Sequence, residues 1–212
     1  MQGKLIYVYD ALCGWCYGFS PVMQQLEEKY MNQLAVEVLS GGMVLGDRIG
    51  PASAMGEYIG QAYKRVEEMT GVTFGHDYLH GLLQDDYAIF SSEKPGYALT
   101  AFKKRQPEEA LSFAHELQLA IHQDGKGPDM DETFEYMADV FEIDPDDFLA
   151  EMNSPANKRQ TQEEYDLVKR YGIQGFPALI MEYDQQLYLI ARGYAPFEQV
   201  DGIIQKILSG KA

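Results

Sequence analysis

Asp10-Ala11-Leu12-Cys13-Gly14-Trp15-Cys16-Tyr17-Gly18-Phe19 holds both cysteines of the 212-residue chain, spaced C-x-x-C. Lys4-Leu5-Ile6-Tyr7-Val8-Tyr9 precedes it, an almost unbroken apolar run of the kind expected of a central strand covered on both faces. Pro21 to Met31 follows, with Val22, Met23, Leu26 and Tyr30 at helical spacing and Pro21 expected near the helix start, where a missing N–H matters little. Two thiols three residues apart where a strand turns into a helix point to a redox pair.

Reading outward, Leu34–Ser40 is a second strand, ended by Gly41-Gly42. Strand, helix and strand in succession make one βαβ unit, which forms a parallel pair with a right-handed crossover. Helical periods then dominate. The expected helices are Ala52–Met69, Asp77–Gln84, Pro95–Lys104, Pro107–Gln123, Asp131–Phe141, Pro145–Met152 and Ala156–Tyr171. Asp144-Pro145 and Ser154-Pro155 are helix-start pairs. Strands return with Phe176–Glu182 and Gln186–Arg192, whose short polar link predicts an antiparallel hairpin. A final helix, Phe197–Leu208, carries Val200, Ile203, Ile204 and Ile207 as an apolar stripe. The expected domains are 1–50 with 172–212, which rebuild one α/β unit, and 51–171, an inserted helical domain.

Seventeen basic against 33 acidic side chains give a net charge of −16. That argues against nucleic acid and anionic membrane surfaces, both of which need cationic patches. No stretch approaches the roughly 20 apolar residues of a membrane span. Met1-Gln2-Gly3-Lys4 leads straight toward the first strand without the apolar core of a signal peptide, so the expected compartment is the cytoplasm. In a reducing compartment a cysteine pair is expected to be catalytic or redox-sensing rather than a structural disulfide.

Cys13-Gly14-Trp15-Cys16 after the first strand, the long helical insertion, and Gly175-Phe176-Pro177 opening the third strand together resemble the DsbA-like branch of the thioredoxin superfamily. Tyr9 to Cys16 looks most like the cytosolic protein-disulfide isomerases related to FrnE-type proteins and to 2-hydroxychromene-2-carboxylate isomerases. The resemblance implies an α/β thioredoxin fold (βαβ…ββα) with a large all-helical insertion. It also implies that Pro177 is cis and lies against the cysteine pair, where the Phe176 backbone would pair with an extended substrate like an added strand. Read locally, Pro177 is a proline permitted at a strand's first residue. Relatives usually carry a smaller residue before this proline, and Phe176 departs from that.

Disulfide exchange needs a thiolate to attack and a second thiol to resolve the mixed disulfide. Cys13, beside the unpaired N–H groups and positive end of a helix, is the expected nucleophile, with its pKa lowered from about 8.5. Cys16, one turn in, is the expected resolving thiol. Gly14 and Trp15 lie between them. Trp15 shields Cys16 and offers a flat apolar face to substrate, or else packs in the core. Asp10 either accepts a proton from Cys16 or fixes the loop through backbone hydrogen bonds. Its carboxylate would oppose the helix effect on Cys13.

Other constellations were weighed and set aside. A zinc site built on Cys13 and Cys16 needs two more ligands and finds no further cysteine. His76 and His80, four apart, and His115 and His122, seven apart, read as ordinary surface or packed histidines. Asp124–Asp129 lacks ligands at the positions a calcium loop wants, and the glycines from Gly41 to Gly50 lack the spacing of a phosphate cradle. No metal is expected, and no cofactor beyond the cysteine pair, with glutathione as a candidate co-substrate. The expected partners are protein or small-molecule thiols and disulfides. The leading expectation is a thiol–disulfide oxidoreductase. The alternatives are a glutathione-dependent isomerase or transferase on the same fold, which would not need Cys16, and a non-enzymatic redox-sensing or chaperone-like module.

Overall fold

A computed structural model describes residues 3–210. Strand β1 (Gly3–Tyr9) runs into helix α1 (Gly14–Tyr30), which returns through β2 (Leu34–Ser40). Between β2 and the next long strand lie the two-residue strands β3 (Gly50–Pro51) and β4 (Ile89–Phe90) and the helices α2 (Ser53–Thr70), α3 (His76–His80), α4 (Glu93–Lys103), α5 (Ala110–His122), α6 (Asp131–Val140), α7 (Pro145–Asn153) and α8 (Pro155–Arg170). The chain closes with β5 (Ala178–Tyr183), β6 (Gln186–Arg192) and α9 (Phe197–Leu208).

The main sheet has the order β2-β1-β5-β6. β1 pairs parallel with β2, from Gly3 opposite Leu34 to Tyr9 opposite Ser40, and antiparallel with β5, with Val8 opposite Ala178. β6 folds back antiparallel on β5. Two faces are buried by alternation along β1. Leu5, Tyr7 and Tyr9 join the larger apolar cluster with Phe19, Met23 and Leu26 of α1 and Val200 and Ile204 of α9. Ile6 and Val8 point the other way, onto Val168 of α8 and Ile173. The larger cluster continues without a break into the helical stretch through Phe102, Phe113, Phe134 and Phe148, all fully buried. Each such ring contributes about 1.5–3 kcal/mol of transfer free energy.

The helix starts at Asp144-Pro145 and Ser154-Pro155 form as their chemistry requires. The Asp144 carboxylate accepts from Asp147 N–H at 2.9 Å and the Ser154 hydroxyl from Asn157 N–H at 3.2 Å, with proline in the first turn of each helix. Several boundaries differ from the sequence reading. Pro21 lies inside α1, because the helix already begins at Gly14. The bond it cannot make is the one to the Tyr17 carbonyl, and the fully buried Phe19 and Met23 hold the helix across that gap. The helix expected over 77–84 breaks at Gly81, leaving Leu82–Gln84 as a 3₁₀ turn. The one expected over 107–123 opens with a 3₁₀ turn, Pro107–Glu109. The strand expected from Phe176 begins at Ala178, and the β3–β4 ribbon has too few residues to leave a period in the sequence.

Candidate functional site

The register of β1 with β5 builds the site. Val8 pairs with Ala178, so the turn leaving β1 and the Phe176–Pro177 segment entering β5 lie at one end of the sheet. Gly41, leaving β2, joins them: its N–H donates to the Tyr9 carbonyl at 2.7 Å. About 160 residues of chain separate Cys13 from Pro177, and the sheet brings them to the same edge.

The turn after Tyr9 is organised by Asp10, which is only 2% exposed. One carboxylate oxygen accepts from Leu12 N–H at 3.0 Å and the other from Met43 N–H at 2.7 Å, while the Asp10 carbonyl accepts from Cys13 N–H at 3.1 Å. Of the two roles weighed for Asp10, the side chain makes the backbone bonds of the structural one. Burial pushes its carboxyl above the usual range, opposed by the Met43, Ser92 and Leu12 donors and by the Arg48 charge.

Cys13 occupies the N-cap of α1 with extended backbone, and its sulfur accepts from Cys16 N–H at 3.2 Å. A sulfur in the capping position faces N–H groups that have no partner within the helix. Cys13 is 5% and Cys16 0% exposed. Burial pushes the Cys16 thiol well up, as do its hydrogen bond and charge interaction with Cys13, and the Asp10 N–H draws it partly back. The two sulfurs are therefore unlike: one at the helix mouth, one sealed beneath it.

Aromatic rings wall the pair. Trp15 is half-buried and tilted against Tyr194, with ring centroids 6.3 Å apart. Phe74 lies over Gly14, where a Cβ would come within 3.3 Å of its ring. Tyr78 on α3 is buried, and its hydroxyl is pushed up first by that burial and then by the nearby Cys13. Opposite, the Phe176–Pro177 peptide bond is cis. The Pro177 carbonyl accepts from Gly193 N–H at 2.7 Å, whereas Phe176 N–H and C=O take no backbone hydrogen bond among the described residues. The Phe176 ring packs onto Gly41, where a Cβ would overlap it, so the side chain is committed to the protein and the main chain is left free.

Sequence reasoning missed the part supplied by α5. His122 Nε2–H donates to the Ala11 carbonyl at 3.0 Å, and Gln118 Nε2–H reaches the Asp10 carbonyl at 3.5 Å. Both residues are fully buried. The His122 ring stacks on Tyr17 at 5.1 Å and meets Tyr78 edge-on at 4.9 Å. Burial lowers its pKa to about 4. Gln118 and His122, one helical turn apart, interrupt the apolar face of α5, and two polar residues on a buried stripe were the available signal. His115, by contrast, bonds Ser20 at 2.8 Å. His76 and His80 are exposed, with ring centroids 4.8 Å apart. No group of three or more His, Cys, Asp or Glu suited to a metal gathers among the described residues.

The family model for DSBA-like thioredoxin domains matches residues 4–205. The chain belongs to that family, and its fold is the thioredoxin fold with a helical insertion. A search of the curated proteins finds no match. Among solved structures, the chain is similar to a Nitrosomonas europaea protein proposed to be a protein disulfide isomerase, with a TM-score of 0.86 at 24% identity, covering 100% of both chains. It is similar to the cytosolic disulfide reductase DsbM of Pseudomonas aeruginosa, with a TM-score of 0.81 at 24% identity over 97% of this chain and 98% of that one. A 2-hydroxychromene-2-carboxylate isomerase follows, with a TM-score of 0.68 at 11% identity over 98% and 97%. At these identities the likeness carries the fold. No described helix is long and apolar enough to cross a membrane.

Proposed function

We propose that this protein is a cytoplasmic thiol–disulfide oxidoreductase in which Cys13 is the nucleophile and Cys16 the resolving thiol. The observation that carries the reading is the unlike placement of the two sulfurs: Cys13 at the α1 N-cap, Cys16 fully buried behind it. The Cys13 thiolate attacks a substrate disulfide, forming one S–S bond as the substrate's breaks and releasing the first substrate thiol with a proton from solvent. Cys16 then attacks Cys13, and its proton passes to the departing second thiol. The protein pair is oxidised and the substrate disulfide reduced to two thiols. Run in reverse, the sequence oxidises a dithiol. The unbonded Phe176 main chain is the strand edge on which an extended substrate is held, with Pro177, Gly14 and Trp15 around it and Asp10 fixing the turn.

A second reading, with glutathione as partner or co-substrate, is favoured by the likeness to DsbM solved with GSH, with a TM-score of 0.79. A glutathione-dependent isomerase on this fold would need Cys13's helix mouth and not Cys16.

The test is disulfide reduction by the pre-reduced chain. Cys13→Ser is expected to abolish it, and undiminished activity would overturn the assignment. Cys16→Ser is expected to trap a mixed disulfide visible by mass spectrometry, whereas continued turnover of a small electrophile by that variant would favour the isomerase.

A further inference from the structure

The two edges of the main sheet are finished differently. At the β2 edge, Lys103 Nζ donates to the Val38 carbonyl at 2.9 Å and Ser40 N–H donates to a Glu164 carboxylate oxygen at 3.5 Å, so side chains of α4 and α8 occupy it. At the other edge, no further described strand pairs with β6.

The hairpin fixes which way the free groups of β6 point. Asp184 and Gln185 have φ of 49° and 61°, the two-residue turn in which Tyr183 and Gln186 exchange both hydrogen bonds. Bonded and non-bonded pairs alternate along antiparallel strands, so Met181 and Tyr188 form the next bonded pair. Leu187 and Leu189, opposite Glu182 and Ile180, therefore turn their N–H and C=O outward. Their side chains lie on the face that carries Ile180, which Val168 of α8 covers over Ile6 and Val8. Past that cover, Leu187 and Leu189 are 52% and 48% exposed. Free edges are ordinarily blunted by charge, proline or a bulge. On β6 the one charge is Arg192, there is no proline, and the bulge at Ile190 lies beyond both leucines.

This edge is complementary to itself. With two copies antiparallel about a two-fold axis at Tyr188, Leu187 exchanges main-chain hydrogen bonds with the partner's Leu189, and Leu189 with the partner's Leu187. The leucines meet side by side on one face. The same register carries Arg192 to the partner's turn at Asp184. The bulge offsets that pair by one residue, about 3.4 Å, which an arginine side chain spans. Arg192 and Asp184 are both exposed, and neither is in an ion pair among the described residues. Copies of a chain with net charge −16 repel at long range, and two opposite-charge pairs offset that here.

We propose that β6 pairs with β6 of a second copy of this chain, joining two four-stranded sheets into one across a two-fold axis. The axis closes the pairing, so the product is a dimer and not a fibre.

Sedimentation equilibrium of the reduced chain, from about 10 μM to 1 mM, is expected to show the mass rising from 24.0 kDa toward twice that value. A mass that stays at 24.0 kDa overturns the proposal and leaves the edge to a strand of another protein. Leu189→Lys puts a charge among the paired leucines and is expected to weaken association about 10-fold with the urea midpoint unchanged. Association equal to the wild type's places the contact elsewhere and overturns the proposal. Arg192→Gln and Asp184→Asn are each expected to weaken association about 2- to 10-fold, and the double variant no more than either. Effects that add would show that the two do not pair. Cross-linking reads the register independently. In a Cys13→Ser, Cys16→Ser background, diamide is expected to link Tyr188→Cys chains across the axis, where facing Cα atoms lie about 4.5 Å apart. Leu187→Cys chains should link far less, since each cysteine lies diagonally from its counterpart at about 7–8 Å. Equal linking, or the reverse order, overturns the pairing.

Discussion

Replacing His122 by Phe tests whether the helical stretch holds the redox turn. The ring sits between Tyr17, Phe74 and Tyr78 with no exposed surface, and its Nε2–H donates to the Ala11 carbonyl. Nδ1 has no partner among the described residues, so a second proton would charge a ring with nothing there to receive it. The unfolded residue titrates near 6.5 and the folded one near 4, so the unfolded chain binds the extra proton first as pH falls. Stability from this group is complete above pH 6.5, declines through the interval and levels off below pH 4. From about pH 7.5 to pH 5 the loss works out at about 2 kcal/mol. Asp10, the other displaced group on this turn, has a raised pKa and works the opposite way, favouring the folded state as it protonates. It is common to both chains and cancels in their difference. Phenylalanine fills the cage but leaves the Ala11 carbonyl unpaired, at a cost of about 1–3 kcal/mol at neutral pH that does not change with pH. Urea unfolding of both chains at the two pH values should therefore show the wild type losing about 2 kcal/mol more than the variant. Parallel losses would refute the neutral, single-donor account of His122.

Asp10→Asn keeps one acceptor oxygen but turns an NH₂ toward a main-chain N–H, and should cost about 1–3 kcal/mol in urea unfolding. It should also lower the Cys16 thiol pKa by removing a nearby negative charge, read as thiolate absorbance against pH in a Cys13→Ser background. An unmoved titration would show that the carboxylate does not act on Cys16. Gly41→Ala should displace the Phe176 ring at a cost of about 1 kcal/mol, small because the ring can swing outward. It should slow reaction with peptide disulfides more than alkylation of Cys13 by iodoacetamide, and equal slowing would show that the ring does not shape the groove.

The elements that carried a period were legible in the sequence. β1 and β2 are runs of apolar and β-branched residues, and α9 has its stripe at 200, 203, 204 and 207; all three formed at the expected ends or within a residue of them. The family and the thioredoxin fold followed from Cys13-Gly14-Trp15-Cys16 and Gly175-Phe176-Pro177, short segments whose types have few other uses together. What was not legible depended on distant pairings. Pro21 read as a helix start because proline marks one locally, while the true start is set by Cys13 capping its own helix. The packing of Phe176 on Gly41 depends on β2 and β5 flanking the same strand, which neither segment encodes alone. His122 read as an ordinary packed or surface histidine; it is packed, and nothing in α5 indicated that its partner would be the carbonyl two residues before Cys13.

That partner changes what the helical stretch contributes. A cap that merely covered the thioredoxin elements would meet them through apolar contact alone. Here residues from 51–171 make directed bonds to the redox turn, His122 to Ala11 and Gln118 to Asp10, while the Ser92 hydroxyl accepts from Val44 N–H beside the turn and acts on the Asp10 carboxylate. Phe74 and Tyr78 supply one wall of the cysteine pair. The Asp10 carbonyl already accepts from Cys13 N–H at 3.1 Å, with Gln118 a longer second donor, but the Ala11 carbonyl lies before the α1 N-cap, and leaving it buried without a donor would cost about 1–3 kcal/mol. His122 on α5 meets that need. The position of Cys13 is therefore set jointly by β1, which delivers the turn, and by α5, which holds it. The charge on Cys16 is opposed by an Asp10 carboxylate kept in place by Met43 from one segment and Ser92 from the other. A substitution deep in α5 should then reach the chemistry of the thiols without touching either of them.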